Sequence, residues 1–246
     1  MPRIALSRAG LQTAFDAAVA PKTAFTALRA NPTWRWAFCI SALLGMIAAL
    51  AISPVVAHTI ERELPARFAA DARVAQLPAD QRDAFIGGQI RLARTLATFS
   101  FALVPFGLAI GCGVQAGVML LANALGKGDG TARAFWALAV NAAVVGTGIS
   151  SIALTAIVLL RGAGGFASAA DIAGALPGPG TFVPLQAGGA AAFLDVLNVF
   201  AVWNMLLLAA GMIIVARLPR GIAITAALVI LLGTGLIPVA GAALQK

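Results

Sequence analysis

The chain has 246 residues, of which 61% are hydrophobic and only 11% charged, against about 25% charged in an ordinary soluble domain. A water-soluble globule is excluded, because it could not hide so much apolar surface. The net charge of +8 brings no nucleic-acid reading, since the basic residues form no cluster interleaved with stacking aromatics.

Residues 1–35 read as an amphipathic N-terminal segment. Leu11, Phe15, Ala18 and Val19 follow helical spacing, and Phe25 and Leu28 repeat it after Pro21. This predicts a short helix, broken at Pro21, lying on the inner leaflet with Lys22 and Arg29 near lipid phosphates. Trp34 and Trp36 then mark the interface, the depth that indole rings prefer.

Residues 36–246 read as one membrane domain. Five runs, 36–57, 95–121, 134–160, 196–216 and 221–245, contain no charged side chain over 21 to 27 residues each. A helix rising about 1.5 Å per residue needs about 20 apolar residues to cross about 30 Å of hydrocarbon, so each run is long enough. Helices are expected, because lipid offers no partner to backbone polar groups and the runs lack the alternation of barrel strands. The fold class predicted is an all-α polytopic bundle of five transmembrane helices with amphipathic interfacial helices. With 35 residues ahead of the first run, that span is expected to stay in the mature protein rather than leave as a signal.

Between the first two spans, Ile60, Leu64, Phe68 and Ala72 share a helical face, with Glu63, Arg67 and Asp71 spaced for ion pairing. A helix lying on the surface, interrupted near Pro65, is the expectation. Pro78 then separates it from a second helix, capped by Asp80, that runs into span two. Span two carries Pro105, expected to kink it, and the small-residue pairs Gly107 with Gly111 and Gly113 with Gly117, which would let a neighbouring helix approach. Residues 123–133 form a tight loop, and 161–195 a Gly- and Pro-rich irregular one. Spans four and five are joined only by Arg217-Leu218-Pro219-Arg220, which makes them antiparallel neighbours.

Orientation follows from charge. With the N-terminus inside, the inner side holds nine basic residues against Asp16 and Asp129, a balance of +7, and the outer side eight basic against seven acidic, +1. Lys and Arg alone nearly tie, and the first helix decides. Five basic residues precede it, and only Arg62 and Arg67 follow it closely. The expectation is a cytoplasmic N-terminus and an outer C-terminus.

Few residues suggest chemistry. Gly126-Lys127-Gly128-Asp129 matches the Gly-x-Gly-Asp pattern of intramembrane aspartyl proteases, but those need a second aspartate, and Asp195 falls on the other side. A Gly-Asp-Gly turn accounts for the same residues. Asn141, Asp195, Asn198 and Asn204 are the polar intramembrane candidates, with Gln115 and Asn123 read alike; helix capping and interhelical hydrogen bonds compete with an ion or solute site. Cys39 and Cys112 read as small hydrophobes inside spans, and His58 is the only histidine, so neither a metal nor a cofactor is expected. No nucleophile elbow, phosphate loop or zinc-helix motif occurs. No catalytic residue is assigned.

Three regions carry a family resemblance. Pro21-x-x-Ala24-Phe25-x-x-Leu28 followed by Asn31-Pro32-x-Trp34, the stretch from Leu120 through Gly126 and Gly130 to Phe135, and Leu197, Phe200, Trp203, Leu208 and Gly211 together resemble the Yip family of Ypt/Rab-interacting membrane proteins. The resemblance implies five spans and a cytoplasmic N-terminus. The chain lacks the long acidic N-terminal region and the Asp-Leu-Tyr-Gly-Pro-like motif of eukaryotic members, so Rab binding is not carried over. An Ala- and Arg-rich, Lys-poor composition points to a bacterial inner membrane.

The leading expectation is a non-catalytic membrane protein that organises lipids or an unidentified membrane or cytoplasmic partner. A small-solute transporter or channel is the alternative. A third reading, a homo-oligomer or assembly subunit, rests on the small-residue face of span two.

Overall fold

Apolar runs in lipid must close their backbone hydrogen bonds internally, and the computed structural model has that form. It describes residues 8–168, 171–172, 174–182, 193–194 and 197–243, among which every regular element is helical. Four helices are long and apolar enough to cross a membrane: Arg35–Ala69, Ala79–Gly126, Ala132–Arg161 and Val199–Ala216. The last expected span is a 24-residue helix, Arg220–Ala243.

In chain order the helices are α1 (Arg8–Val19), α2 (Pro21–Ala30), α3 (Arg35–Ala70), α4 (Ala72–Ala75), α5 (Ala79–Phe99) and α6 (Val104–Gly126). They continue as α7 (Ala132–Ala143), α8 (Ser150–Arg161), α9 (Val199–Ala216) and α10 (Arg220–Ala243). A 3₁₀ turn, Ser100–Leu103, joins α5 to α6, and a π segment, Val144–Ile149, joins α7 to α8.

Pro21 breaks the N-terminal helix as expected, sitting in the first turn of α2 where its missing N–H costs nothing. The expected lipid contacts divide, however. Leu11, Phe15 and Val19 of α1 face outward, whereas Phe25 and Leu28 of α2 are fully buried, with α2 packed on α7 and α9. Ala14, Ala17 and Ala24 are buried too, and their small side chains let the two short helices dock on the bundle rather than float beside it.

Helix α3 does not end at the expected boundary, nor is it interrupted at Pro65. Pro54 and Pro65 both lie inside it. The Ser53 hydroxyl donates to the Leu50 carbonyl at 3.0 Å, replacing the bond that Pro54 cannot make. At 36 residues α3 is about 54 Å long, so it continues well past the hydrocarbon. Helix α5 returns along it. Phe68 meets Phe85 edge-on at 5.5 Å and Arg94 pairs with Glu61 at 3.4 Å, while Glu63 pairs with Arg67. The segment 58–94 is thus an antiparallel helical hairpin rather than a helix laid on the surface, because the apolar face around Phe68 is covered by α5. Pro78 is the N-cap of α5, and Asp80 lies in its first turn without capping it.

Pro105 does not bend a continuous helix. It starts α6 after the 3₁₀ turn, where the Val104 N–H serves the Phe101 carbonyl that proline would leave free. Helix α7 is the centre of the bundle, with every residue from Phe135 to Ala143 except Trp136 buried. Close helix approach falls at glycines other than the predicted ones. A Cβ on Gly211 of α9 would collide with Leu138, and one on Gly45 would lie 2.8 Å from Val104. At Gly107, Gly111 and Gly117 a Cβ would meet nothing within 4 Å, and at Gly113 only the Trp136 ring at 3.9 Å. Among the described residues they pack against no helix closely, because α6 turns Cys112, Ala116 and Met119 inward instead.

Candidate functional site

The π segment has the run Val-Val-Gly-Thr-Gly, β-branched residues and glycines that weaken an α ladder. Its widened turn frees carbonyls, and the Ser150 hydroxyl takes two of them, Gly146 at 2.7 Å and Thr147 at 3.2 Å. Gly146 lies against Asn204 of α9: a Cβ there would sit 2.9 Å from Asn204 Cγ. Only glycine leaves room for the amide.

Asn204 opens onto a cavity of about 440 Å³ between α6, the π segment, α9 and α10. Cavities that enclose small molecules are about 300–1,000 Å³. Its polar groups are Gln115, Thr147, Ser150, Asn198, Asn204 and Thr234, and among the described residues no acidic, basic or histidine side chain lines it. Gln115 Oε1 and Asn204 Oδ1 are shielded from solvent and accept no hydrogen bond. An unpartnered buried carbonyl costs about 1–3 kcal/mol, and both of these belong to residues that line the cavity, so a small turn of either amide would offer its oxygen to a hydrogen-bond donor there. An adjoining void of about 40 Å³ shares Gln115, Asn204 and Thr234.

The loop before α9 covers one end of this cavity. Asn198 caps α9, its Oδ1 accepting from the Phe200 and Ala201 N–H groups at 3.0 Å each. The Val199 N–H donates to the Pro177 carbonyl at 3.2 Å, and Leu176, buried, lines the cavity. Phe166, Ile172 and Ala175 anchor the same loop to Val55 and Val158.

The predicted polar residues therefore separate. Asn198 and Asn204 reach the cavity, and so does Gln115. Asn141 is buried elsewhere: its Nδ2 donates to Thr33 O at 2.8 Å and Ala137 O at 2.7 Å, which fastens the start of α3 to α7. Asp195 lies outside the described residues. Gly107 and Gly111 line the cavity, whereas Gly113 and Gly117 do not. Cys112 also lines it, while Cys39 is exposed. Sequence reasoning missed Gly146 and Thr147, whose signal was the β-branched and glycine-rich run in mid-span.

At the other end of α9 lies the Gly-x-Gly-Asp loop. Asn123 clasps it, donating to Gly130 O at 3.2 Å and accepting from Gly130 N at 3.1 Å. Asp129 pairs with Arg29 at 3.1 Å and Arg217 at 3.6 Å, and its N–H donates to Ala216 O at 3.0 Å. Arg29 also donates to Ile214 O at 3.3 Å. These contacts satisfy the carbonyls that end α9 and place positive charge at its negative pole. Asp129 faces two arginines rather than a second carboxylate, the arrangement of a fastening. Among the described residues no three His, Cys, Asp or Glu side chains gather as a metal site requires.

No family model, no curated protein and no solved structure matches the chain.

Proposed function

We propose that this chain is a non-catalytic, five-span protein of a bacterial inner membrane, N-terminus in the cytoplasm and C-terminus outside, that holds a small uncharged guest at mid-depth. One observation carries the reading: Gln115 and Asn204, two residues that each hold an unpartnered buried amide oxygen, line one cavity inside apolar helices. Buried polar atoms left open in this way are a cost to the fold that a guest would offset. Among the described residues the lining holds no carboxylate, amine, guanidinium or imidazole to serve as general acid or base, which favours binding or carriage over turnover. The balance of +7 against +1 across the assumed topology supports the orientation, and the Yip-type resemblance supports the span number.

Guest binding belongs with the lipid-interacting or carrier expectations rather than with a channel, since the roof at Leu176 interrupts a path along the bundle axis. The test is a thermal-shift screen of the purified chain in detergent against uncharged polar compounds, both water-soluble and lipid. At a hundredfold excess over Kd a guest adds about 2.7 kcal/mol of stability, and that gain should shrink in Asn204→Leu and Gln115→Leu. A screen without stabilising compounds, or turnover of a substrate abolished by Asp129→Ala, would overturn the reading.

A further inference from the structure

The cavity has a side opening. Toward the loop it is covered by Leu176, and toward the Asp129 end the fully buried Met119 and Leu208 close the bundle. On the α6 side, Gly107 and Gly111 line the cavity and are also exposed, and among the described residues nothing stands within 4 Å of where their side chains would be. Thr234, exposed on α10, stands across the gap. The surface around this gap is Leu103, Phe106 and Ile110, exposed by 64%, 68% and 69%. Three large apolar side chains that open to the outside of a membrane helix face hydrocarbon, so the gap faces the bilayer.

We infer that the occupant is a membrane lipid with an uncharged, hydroxyl-bearing head, which enters sideways past Gly107 and Gly111 and leaves its chains in the bilayer. The inference rests on the guest-binding reading and names the guest's class. The polar lining is amides and hydroxyls, Gln115, Thr147, Ser150, Asn198, Asn204 and Thr234, two of them with unpartnered oxygens, and such groups pair with hydroxyls. A phosphate head would bring charge to a site where no described residue supplies a cation. A water-soluble solute would have to cross lipid to reach the gap, whereas a lipid already lies beside it. Glycines supply the gap because any larger side chain on that face of α6 would stand in it.

The experiment uses the full chain in detergent with radiolabelled 1,2-dioleoylglycerol, dioleoylphosphatidic acid and glycerol as probes. The expected result is saturable retention of dioleoylglycerol, weakened about tenfold by Asn204→Leu or Gln115→Leu, the order of one lost hydrogen bond. Gly111→Leu should block retention while the protein unfolds at an unchanged temperature, since its side chain projects into open space. Gly117→Leu, equally open but away from the cavity, should retain the lipid. Glycerol bound as well as dioleoylglycerol would overturn sideways lipid capture and leave guest binding standing. Tighter binding of phosphatidic acid, or retention unaffected by Gly111→Leu, would overturn the inference in the same way. If no probe binds and the thermal-shift screen also finds nothing, both readings fall together.

Discussion

Gly146→Ala tests the site with a single methyl group. The added Cβ would lie 2.9 Å from Asn204 Cγ, 3.0 Å from Oδ1 and 3.1 Å from Cβ, whereas ordinary contacts are 3.4–4 Å. Relief needs a shift of about half an ångström, and because Asn204 Cβ is among the crowded atoms, turning the amide alone does not provide it. Overpacking of this kind costs about 1–3 kcal/mol, and alanine's better helix propensity returns about 1 kcal/mol. The net destabilisation should be about 0–2 kcal/mol, too small to unfold the bundle. Guest affinity should fall about tenfold, since one of two acceptors leaves its place. Asn204→Ala removes Cγ and Oδ1, so in that background Gly146→Ala should cost about 1 kcal/mol less than it does alone. Detergent unfolding of the four proteins, with a parallel titration of dioleoylglycerol, measures both effects. Additivity within about 0.5 kcal/mol, or unaltered guest affinity in Gly146→Ala, would refute the close approach of the π segment to α9.

Glu61→Cys with Arg94→Cys, in a Cys39→Ser, Cys112→Ser background, should crosslink with a short bismaleimide in membranes, because these side chains meet across the α3–α5 hairpin at 3.4 Å; helices lying apart on the surface would not react. Asp129→Ala should change stability by less than about 1 kcal/mol, since Asp129 and its partners are exposed, whereas Asn123→Ala, which releases both polar groups of Gly130, should cost about 1–3 kcal/mol. Equal losses on denaturation would contradict that ranking. Lys127→Gly should raise the unfolding temperature by relieving a left-handed cap at φ 50°, worth about 1 kcal/mol, and an unchanged or lower value would count against it.

Charge-free length made four crossing helices legible, because length and the absence of charge are all that a membrane span demands. The stops at Pro21 and Pro78 and the turn at Arg217 were legible for the same local reason: a residue without an N–H, or a short turn between two apolar runs, acts on its own neighbours. The course of 58–94 was not. An apolar face holding Phe68 looks the same whether lipid or Phe85 covers it, and sequence periodicity records the face rather than its cover. The small-residue pairs of α6 met a related difficulty: spacing shows that Gly107 and Gly111 share a face, but not that this face looks outward. Asn141 and Asn204 illustrate the site itself. Both are amides inside apolar runs with an unpartnered buried oxygen, yet the nitrogen of Asn141 is fastened to Thr33 and Ala137, whereas Asn204 lines the cavity. That distinction comes from α3, α6 and the π segment, which no local pattern on α7 or α9 encodes.

A crystal structure of the chain grown from a lipidic mesophase doped with dioleoylglycerol tests the central claim most directly. Density that enters beside Gly107 and Gly111 and ends within hydrogen-bond distance of Gln115 Oε1 and Asn204 Oδ1 is the predicted result. Gln115 and Asn204 bonded to each other across a collapsed cavity, with lipid only on the outer face of α6, would contradict it.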